Sequence, residues 1–500
     1  MSDLHKTEHF DETAELSLEV IKQRAVKGVL ALTGRTFFLQ LVALSATFAL
    51  TVFLDPKEYG VFFLVSAIVN IFTYFSDIGF SAAAIQKKEK LDNDELTTTF
   101  TIQQGLVIGL VVIIFAATPI IKNIYNFSDE SVYLLWALSI SLVFSSLKTI
   151  PSVLLERRLE FNKLIIPQIV EVIAFYGIAV LLAWKGFGVA SFTIAVLVRS
   201  ILGLFTIYII QPWMPKYGLS KNAFRGLIKF GLPYQLNIFL AVLKDDGMVA
   251  VLGSILGPGG VGLLGWAQKW GFAPLRFFMD QVIKVTFPAF SRLQDNPLEL
   301  SKAVSRSISF ISILVFPSLV GLILTAPILV RLIPKYGKWE PALFALSLIC
   351  FNAFWAAVTT PLTNVLNAIG KIGITFKLMI MWTVLTLVFV PGLALLYGLN
   401  GAVLGYSIVG LSSVIAIIIA NKFIKVNFYE SVFKPLFASL VMGVVIFLTQ
   451  VFMYENVLLI VVMILLGLLT YVTTLFIIAK DTLTEDAKKV FTIFRSKKVI

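Results

Sequence analysis

Apolar residues run along the chain in long stretches separated by short polar segments, and most stretches hold twenty residues or more. A hydrocarbon core about 30 Å thick is crossed by roughly 20 helical residues, so each stretch predicts a membrane-spanning helix. The spans lie near 30–54, 59–86, 98–121, 131–156, 164–184, 189–211, 223–256, 260–288, 304–333, 339–368, 373–397, 401–423, 432–453 and 456–479. The pattern predicts an all-α polytopic membrane protein of about fourteen transmembrane helices, several long enough to tilt or to extend past the bilayer. Ahead of them, residues 1–14 are polar. Residues 15–27 place Leu16, Leu18, Val20, Ile21 and Val26 among charges, as in a helix lying on the surface.

The spans carry charges that lipid does not tolerate. In 260–288 the positions Lys269, Arg276, Asp280 and Lys284 are separated by seven, four and four residues, which returns each to the same side of a helix. Charges at membrane depth cost a few kcal/mol or more each unless they face a bundle or a watery cavity, so this stripe is predicted to point inward. Similar intrusions occur at Arg35, Asp77, Lys148, Glu171, Arg199, Lys244, Asp245 and Asp246. A polar, net-basic interior within a greasy shell describes a transporter for a polar, anionic cargo.

Positive residues are retained in the cytoplasm, so their distribution sets topology. Alternate loops divide the basic residues 28 to six, and the rich set includes both ends of the chain. Both termini are therefore predicted to be cytoplasmic. An internal repeat sharpens the picture. Leu54-Asp55-Pro56-Lys57-Glu58-Tyr59-Gly60 and Leu256-Gly257-Pro258-Gly259-Gly260-Val261-Gly262 share L-x-P-x-x-x-G. Pro119-Ile120 and Ala137-Leu138-Ser139-Ile140 are matched by Pro327-Ile328 and Ala345-Leu346-Ser347-Leu348. Duplication of a six-helix unit inserts both copies the same way up, related by an axis along the membrane normal. The expected organisation is a cytoplasmic tail with an amphipathic helix (1–29), a first lobe (30–211), a linker (212–222) and a second lobe (223–423). Two peripheral helices (424–479) and a basic cytoplasmic tail (480–500) complete it.

Composition removes other classes. Hydrophobic residues make up 58% and charged residues 14% of the chain, against roughly a quarter charged in soluble domains. The net charge of +12 belongs with membrane topology rather than with nucleic acid. The single Cys350 excludes a disulfide framework and a CxxC site. There is no N-terminal hydrophobic region of a cleavable signal. His5 and His9 are spaced as metal ligands can be, but no further ligand cluster accompanies them. Gly260-Val261-Gly262-Leu263-Leu264-Gly265 fits G-x-G-x-x-G, yet it lies between two spans without a strand and reads as a turn. No phosphate-loop motif is present, so no cofactor is expected and the driving force comes from substrate supply, product removal or an ion gradient.

The segments 25–35 (AVKGVLALTGR), 53–62 (FLDPKEYGVF), 75–88 (FSDIGFSAAAIQKK), 150–164 (IPSVLLERRLEFNKL), 185–192 (KGFGVASF), 228–237 (IKFGLPYQLN) and 287–296 (FPAFSRLQDN) resemble, in order, the polysaccharide-transporter family. This is the O-antigen and teichuronic-acid flippase branch of the multidrug/oligosaccharidyl-lipid/polysaccharide exporter superfamily. The resemblance implies a non-enzymatic flippase of a bacterial plasma membrane. It would carry an undecaprenyl-diphosphate-linked oligosaccharide to the outer leaflet for cell-surface polysaccharide synthesis, by alternating access through a central cationic cavity. Membrane lipids, a polysaccharide polymerase and glycosyltransferases are the partners it implies. The Lys244-Asp245-Asp246 triplet departs from the pattern.

Diphosphate suits Arg, which binds it through a bidentate fork, and Lys, which acts as a point charge. The candidate substrate-binding residues are therefore Arg35, Lys148, Arg199, Lys269 and Arg276, the alternatives being ion pairing and snorkelling. Glu171, Asp245 and Asp246 are candidate ion-coupling carboxylates. Asp77 and Asp280 read as structural charges, Asp280 pairing with Arg276 or Lys284 one turn away. For the glycan, Asn352, Thr359, Thr360, Thr363, Asn364 and Asn367 and the pair Gln103 and Gln104 offer amides and hydroxyls, or act as interhelical glue. Trp266 and Trp270 are candidates for sugar stacking or for the interfacial belt. Three other readings compete with the flippase, one of them a non-transporting scaffold whose helices 13 and 14 bind synthesis partners. A cation-coupled drug exporter of the same superfamily calls for a more acidic and aromatic cavity. A membrane-embedded polymerase or glycosyltransferase calls for longer extramembrane loops.

Overall fold

A computed structural model describes residues 18–76 and 92–496, with side chains described at 34–76, 92–221 and 242–479. Asp77, most of the 75–88 stretch and the two His residues lie outside the described residues. The chain divides into two compact units, Met1–Gly262 and Leu263–Ile500. Among the described residues it is helical without strands, and eleven helices are long and apolar enough to cross a membrane.

In the first unit, α1 (Leu18–Phe53) is one continuous helix, where the sequence suggested a separate surface helix before the first span. No proline interrupts it, and the helical ladder runs from the charged segment into the apolar one. α2 (Pro56–Thr73) starts at a capping box between Asp55 and Glu58 with Pro56 in its first turn. α3 (Asn93–Tyr125) uses the same device at Asp92 and Glu95, and ends on Asn126 in the left-handed conformation (φ 49°). α4 (Asp129–Leu147) and α5 (Thr149–Arg157) occupy the predicted fourth span, which is broken at Lys148. α6 (Phe161–Trp184) and α7 (Ala190–Ile210) follow. α8 (Lys221–Gly271) is two helices meeting at Gly257, whose φ of 67° and ψ of 175° admit glycine. That break coincides with the predicted boundary between the seventh and eighth spans.

The two copies of L-x-P-x-x-x-G touch each other. A Cβ built on Gly60 would lie 1.8 Å from the Pro258 carbonyl oxygen, and one built on Gly262 would lie 1.8 Å from that of Pro56. The contact is reciprocal and backbone against backbone, which only glycine permits.

In the second unit, α9 (Ala273–Arg292) follows α8 directly after Phe272, whose backbone stays in the right-handed helical region, with Pro274 in its first turn. Its charges keep it out of the eleven. α10 (Pro297–Leu332), a 3₁₀ turn at Gly337–Ala342 and α11 (Leu343–Ala368) come next. α12 (Ile372–Leu411) breaks at Tyr397 and Gly398. Gly401 presses on the Leu393 carbonyl and Gly405 on Phe389 and Val390, so the halves run antiparallel, as the predicted spans 373–397 and 401–423 require. α13 (Ser413–Asn421) leads through a π turn (Tyr429–Phe433) to α14 (Lys434–Phe452) and α15 (Val457–Ser496). α14 and α15 pack on α10 around Ile328, Met442, Ile446 and Met463. Gln450 Nε2 donates to the Leu324 carbonyl (2.7 Å) and Tyr471 Oη to that of Ile313 (2.7 Å). The other face of α14 exposes Phe437, Leu440, Val444 and Phe447, as lipid contact requires.

Candidate functional site

Pro151 shapes the middle of the first unit. It has no N–H, so the Leu147 carbonyl one turn earlier loses its helical donor. The Tyr208 hydroxyl of α7 donates to that carbonyl instead, at 3.1 Å, and Gln104 Nε2 of α3 donates to Ser146 Oγ at 2.9 Å. The carbonyl freed between α4 and α5 is thus satisfied by Tyr208 of α7, as an irregular backbone in a membrane must be. Lys148 stands at this break.

From there Lys148 Nζ reaches Glu171 Oε1 of α6 at 2.5 Å, with the two side chains 16% and 25% exposed. Glu171 fits because Gly203 of α7 has no side chain; a Cβ there would lie 1.9 Å from Glu171 Oε1. One turn before Gly203, Arg199 places its guanidinium carbon 4.9 Å from the Phe175 ring centroid. That is cation–π distance. Glu171 and Tyr176 are its electrostatic neighbours, and Arg199 closes no salt bridge among the described residues. Tyr176 lies beside Thr47 of α1, whose hydroxyl donates to the Ala43 carbonyl of its own helix. Helices α1, α4, α6 and α7 therefore gather two cations around one carboxylate. Lys148 and Glu171, predicted for substrate and for ion coupling respectively, are each other's partners. Arg199 shares the field of Glu171 without a salt bridge of its own among the described residues. Arg35, also on α1, has a buried Nε without a hydrogen bond.

The remaining candidates are more dispersed. Lys244 Nζ pairs with Asp245 Oδ1 at 2.5 Å, and Asn70 Nδ2 of α2 donates to Asp246 Oδ1 at 3.4 Å. The predicted stripe of the eighth span crosses the boundary between the two helices at Phe272, with Lys269 on α8 and Arg276, Asp280 and Lys284 on α9. Lys269, Arg276 and Lys284 are exposed. Asp280 lies in the field of Arg276 and Lys284 but closes a salt bridge with neither, so the expected intrahelical pair is not formed.

Most of the predicted glycan row holds the fold together. Asn352 Nδ2 donates to the Tyr406 carbonyl (2.7 Å), Thr359 and Thr363 bond back to their own helix, and Asn367 accepts from Thr375. Trp266 is buried, stacked on Trp339 at 5.6 Å and bonded through Nε1 to Tyr336 Oη, which removes it from sugar stacking. Asn364 Nδ2 and Gln103 Oε1 are buried without partners. So are both ends of Gln281, which the sequence reading passed over although it follows Asp280 in the charged stripe. No group of three or more His, Cys, Asp or Glu is placed to hold a metal among the described residues.

Residues 49–343 match the family described as polysaccharide biosynthesis protein. The chain belongs to this family. Among its relatives is the lipopolysaccharide biosynthesis protein WzxC of Escherichia coli (strain K12), 27% identical over 365 residues, covering 71% of this chain and 72% of the relative. The succinoglycan biosynthesis transport protein ExoT of Rhizobium meliloti (strain 1021) is 23% identical and covers 87% of each chain. In fold, this family member is similar to the lipid II flippase MurJ in an inward closed conformation, with a TM-score of 0.75, 20% identity, and coverage of 92% of this chain and 100% of that one. It is also similar to an inward-facing MATE multidrug transporter of the MOP superfamily, with a TM-score of 0.58, 16% identity, and coverage of 77% and 94%. The match covers α2 through α10, including the Lys148, Glu171 and Arg199 group and the Arg276 stripe.

Proposed function

We propose that the protein is a flippase that carries an undecaprenyl-diphosphate-linked oligosaccharide across a bacterial plasma membrane by alternating access, with fourteen crossings and both termini in the cytoplasm. Arg35, Lys148, Arg199, Lys269 and Arg276 meet the diphosphate at successive stages of its passage. Glu171 holds Lys148 until the cargo's phosphate competes for it, and Asp245 and Asp246 are the remaining ion-coupling candidates. Lobes of six helices, 30–211 and 223–423, supply the alternation. The protein performs no chemistry on the cargo.

The observation that carries this reading is Arg199. A guanidinium at membrane depth, set on an aromatic ring with no carboxylate of its own, is costly unless an anion visits it. The succinoglycan and lipopolysaccharide relatives and the lipid II flippase handle sugar-bearing material or belong to its synthesis. The drug-exporter alternative calls for a more acidic and aromatic interior, and around Glu171 and Asp280 the cations outnumber the carboxylate.

Depletion of the protein in its native host tests the reading. Lipid-linked repeat units should accumulate on the cytoplasmic leaflet, detected by their inaccessibility to an added glycosidase. Repeat units found outside as unpolymerised single copies would instead indicate a polymerase and overturn the proposal.

A further inference from the structure

The ten residues 211–220 that join α7 to α8 are fastened along the N-terminal part of α3 and beside α5. Gly218 N–H donates to Thr101 Oγ1 and Ser220 N–H to Thr98 Oγ1, both at 2.9 Å. Trp213 meets Phe100 edge-on at 5.1 Å, and Tyr217 meets the same ring at 5.5 Å. Arg158 Nη1, just past α5, donates to Gln211 Oε1 at 3.3 Å. Trp213 also packs on the cluster of Leu96, Phe100, Ile150, Val153 and Leu154. A free coil of this length would wander over roughly 5–6 Å times the square root of its residue number and would transmit no force. This segment is held at both ends and in the middle.

The seat connects directly with the charged group. Lys148 is the residue immediately ahead of α5, and α5 contributes Ile150, Val153 and Leu154 to the cluster under Trp213. The other end of the strap runs without a gap into α8 at Lys221.

We propose that 211–220 is a coupling strap. It stays docked on α3 and α5 while the protein works, so a displacement of α5, produced when an anionic cargo draws Lys148 away from Glu171, is passed to the start of α8. Trp213, Thr98 and Thr101 are its positioning residues and touch no cargo. The functional half of the proposal rests on the transporter reading above; the mechanical half does not.

Three measurements test it on the full chain in lipid nanodiscs or proteoliposomes. Hydrogen exchange is followed with inorganic diphosphate as the probe. Wild-type protein should change exchange at 149–157 and at 221–230 together, and a Trp213→Ala/Thr101→Val variant at 149–157 alone. Coupled change persisting in a variant whose 211–220 amides have become freely exchanging overturns the proposal, as does a wild type in which 221–230 never responds. Translocation of a fluorescent undecaprenyl-diphosphate oligosaccharide should fall at least tenfold in the same variant with binding unchanged. Adding Thr98→Cys and Ser220→Cys should restore it on oxidation and lose it again on reduction. In an otherwise wild-type background the oxidised pair should leave translocation intact; arrest there would mean that the strap must let go. A wild type that binds and couples but moves no lipid would sink the flippase reading while leaving the strap standing.

Discussion

The reciprocal contact at Gly60 and Gly262 yields a prediction with a definite geometry. In Gly60→Ala the new methyl would start 1.8 Å from the Pro258 oxygen and 2.7 Å from the Gly262 nitrogen. The obstacles are backbone atoms, so no rotamer change relieves them. Ordinary contact begins near 3.4 Å, and the two segments must separate by about 1.6 Å. Overpacking of this kind costs about 1–3 kcal/mol, set against at most about 1 kcal/mol gained from replacing a helical glycine by alanine. A net loss of about 1–2 kcal/mol is expected from either Gly60→Ala or Gly262→Ala. Because one separation relieves both clashes, the double variant should lose little more than a single one, an interaction energy of about 1 kcal/mol in a double-mutant cycle. Thermal unfolding in one detergent provides the measurement, with Gly109→Ala as control, since nothing lies within 4 Å of a Cβ there. Strict additivity, or single variants as stable as the control, would refute the reciprocal contact.

Four further outcomes are expected. Arg276→Ala should lower translocation with insertion intact, and Arg276→Lys should retain part of it, since the charge survives and the bidentate fork is lost; a complementation assay reads both. Glu171→Ala strands Lys148 and should destabilise by about 3–5 kcal/mol, while replacing both residues with leucine and methionine should recover most of that, as thermal unfolding would show. Tyr208→Phe should cost about 1 kcal/mol by orphaning the Leu147 carbonyl, and the cost should vanish in a Pro151→Ala background, where the helical N–H returns. Gln281→Leu removes a buried amide without partners and should raise stability by about 1–3 kcal/mol, while translocation of the sugar-bearing lipid declines; unchanged translocation would remove Gln281 from the route.

Helix positions were legible because span length and apolarity are local properties. The turns at 257 and 398 were visible as glycines between apolar runs, and positive φ is what those glycines supply. The break at Lys148 was not visible. Pro119, Pro167, Pro317, Pro327, Pro361 and Pro391 all remain inside helices, so proline alone does not tell which helix parts. What differs at Pro151 is a hydroxyl 57 positions away in sequence that supplies the missing donor. The charged residues stood out singly for the same local reason. Their partners did not, since Lys148 and Glu171 sit on different helices and pattern within one helix says nothing about its neighbour's phase. The sugar-stacking role of Trp266 failed similarly, because Tyr336 and Trp339, which enclose it, come from another segment.

The way the charges are held argues for an anionic cargo more strongly than their number does. Lys148 has a carboxylate and is therefore stable when nothing is bound; Arg199, within the field of that same carboxylate, has only a ring. In the second unit Asp280 is likewise shared between Arg276 and Lys284 without pairing with either. Glu171 and Asp280 are thus each outnumbered by the cations around them, unlike Asp245 and Asp246 beside the single Lys244. Full pairing would make a tighter resting structure and a poor binding site, because a visiting phosphate would have to displace a partner at every cation. On the proposed reading, partial pairing would leave one cation open for first capture and one held in reserve, released only when the visitor's charge outcompetes Glu171. An uncharged amphipathic cargo could exploit neither, and its transport would be indifferent to ionic strength, whereas capture by Arg199 and Arg276 should weaken as salt screens the approach.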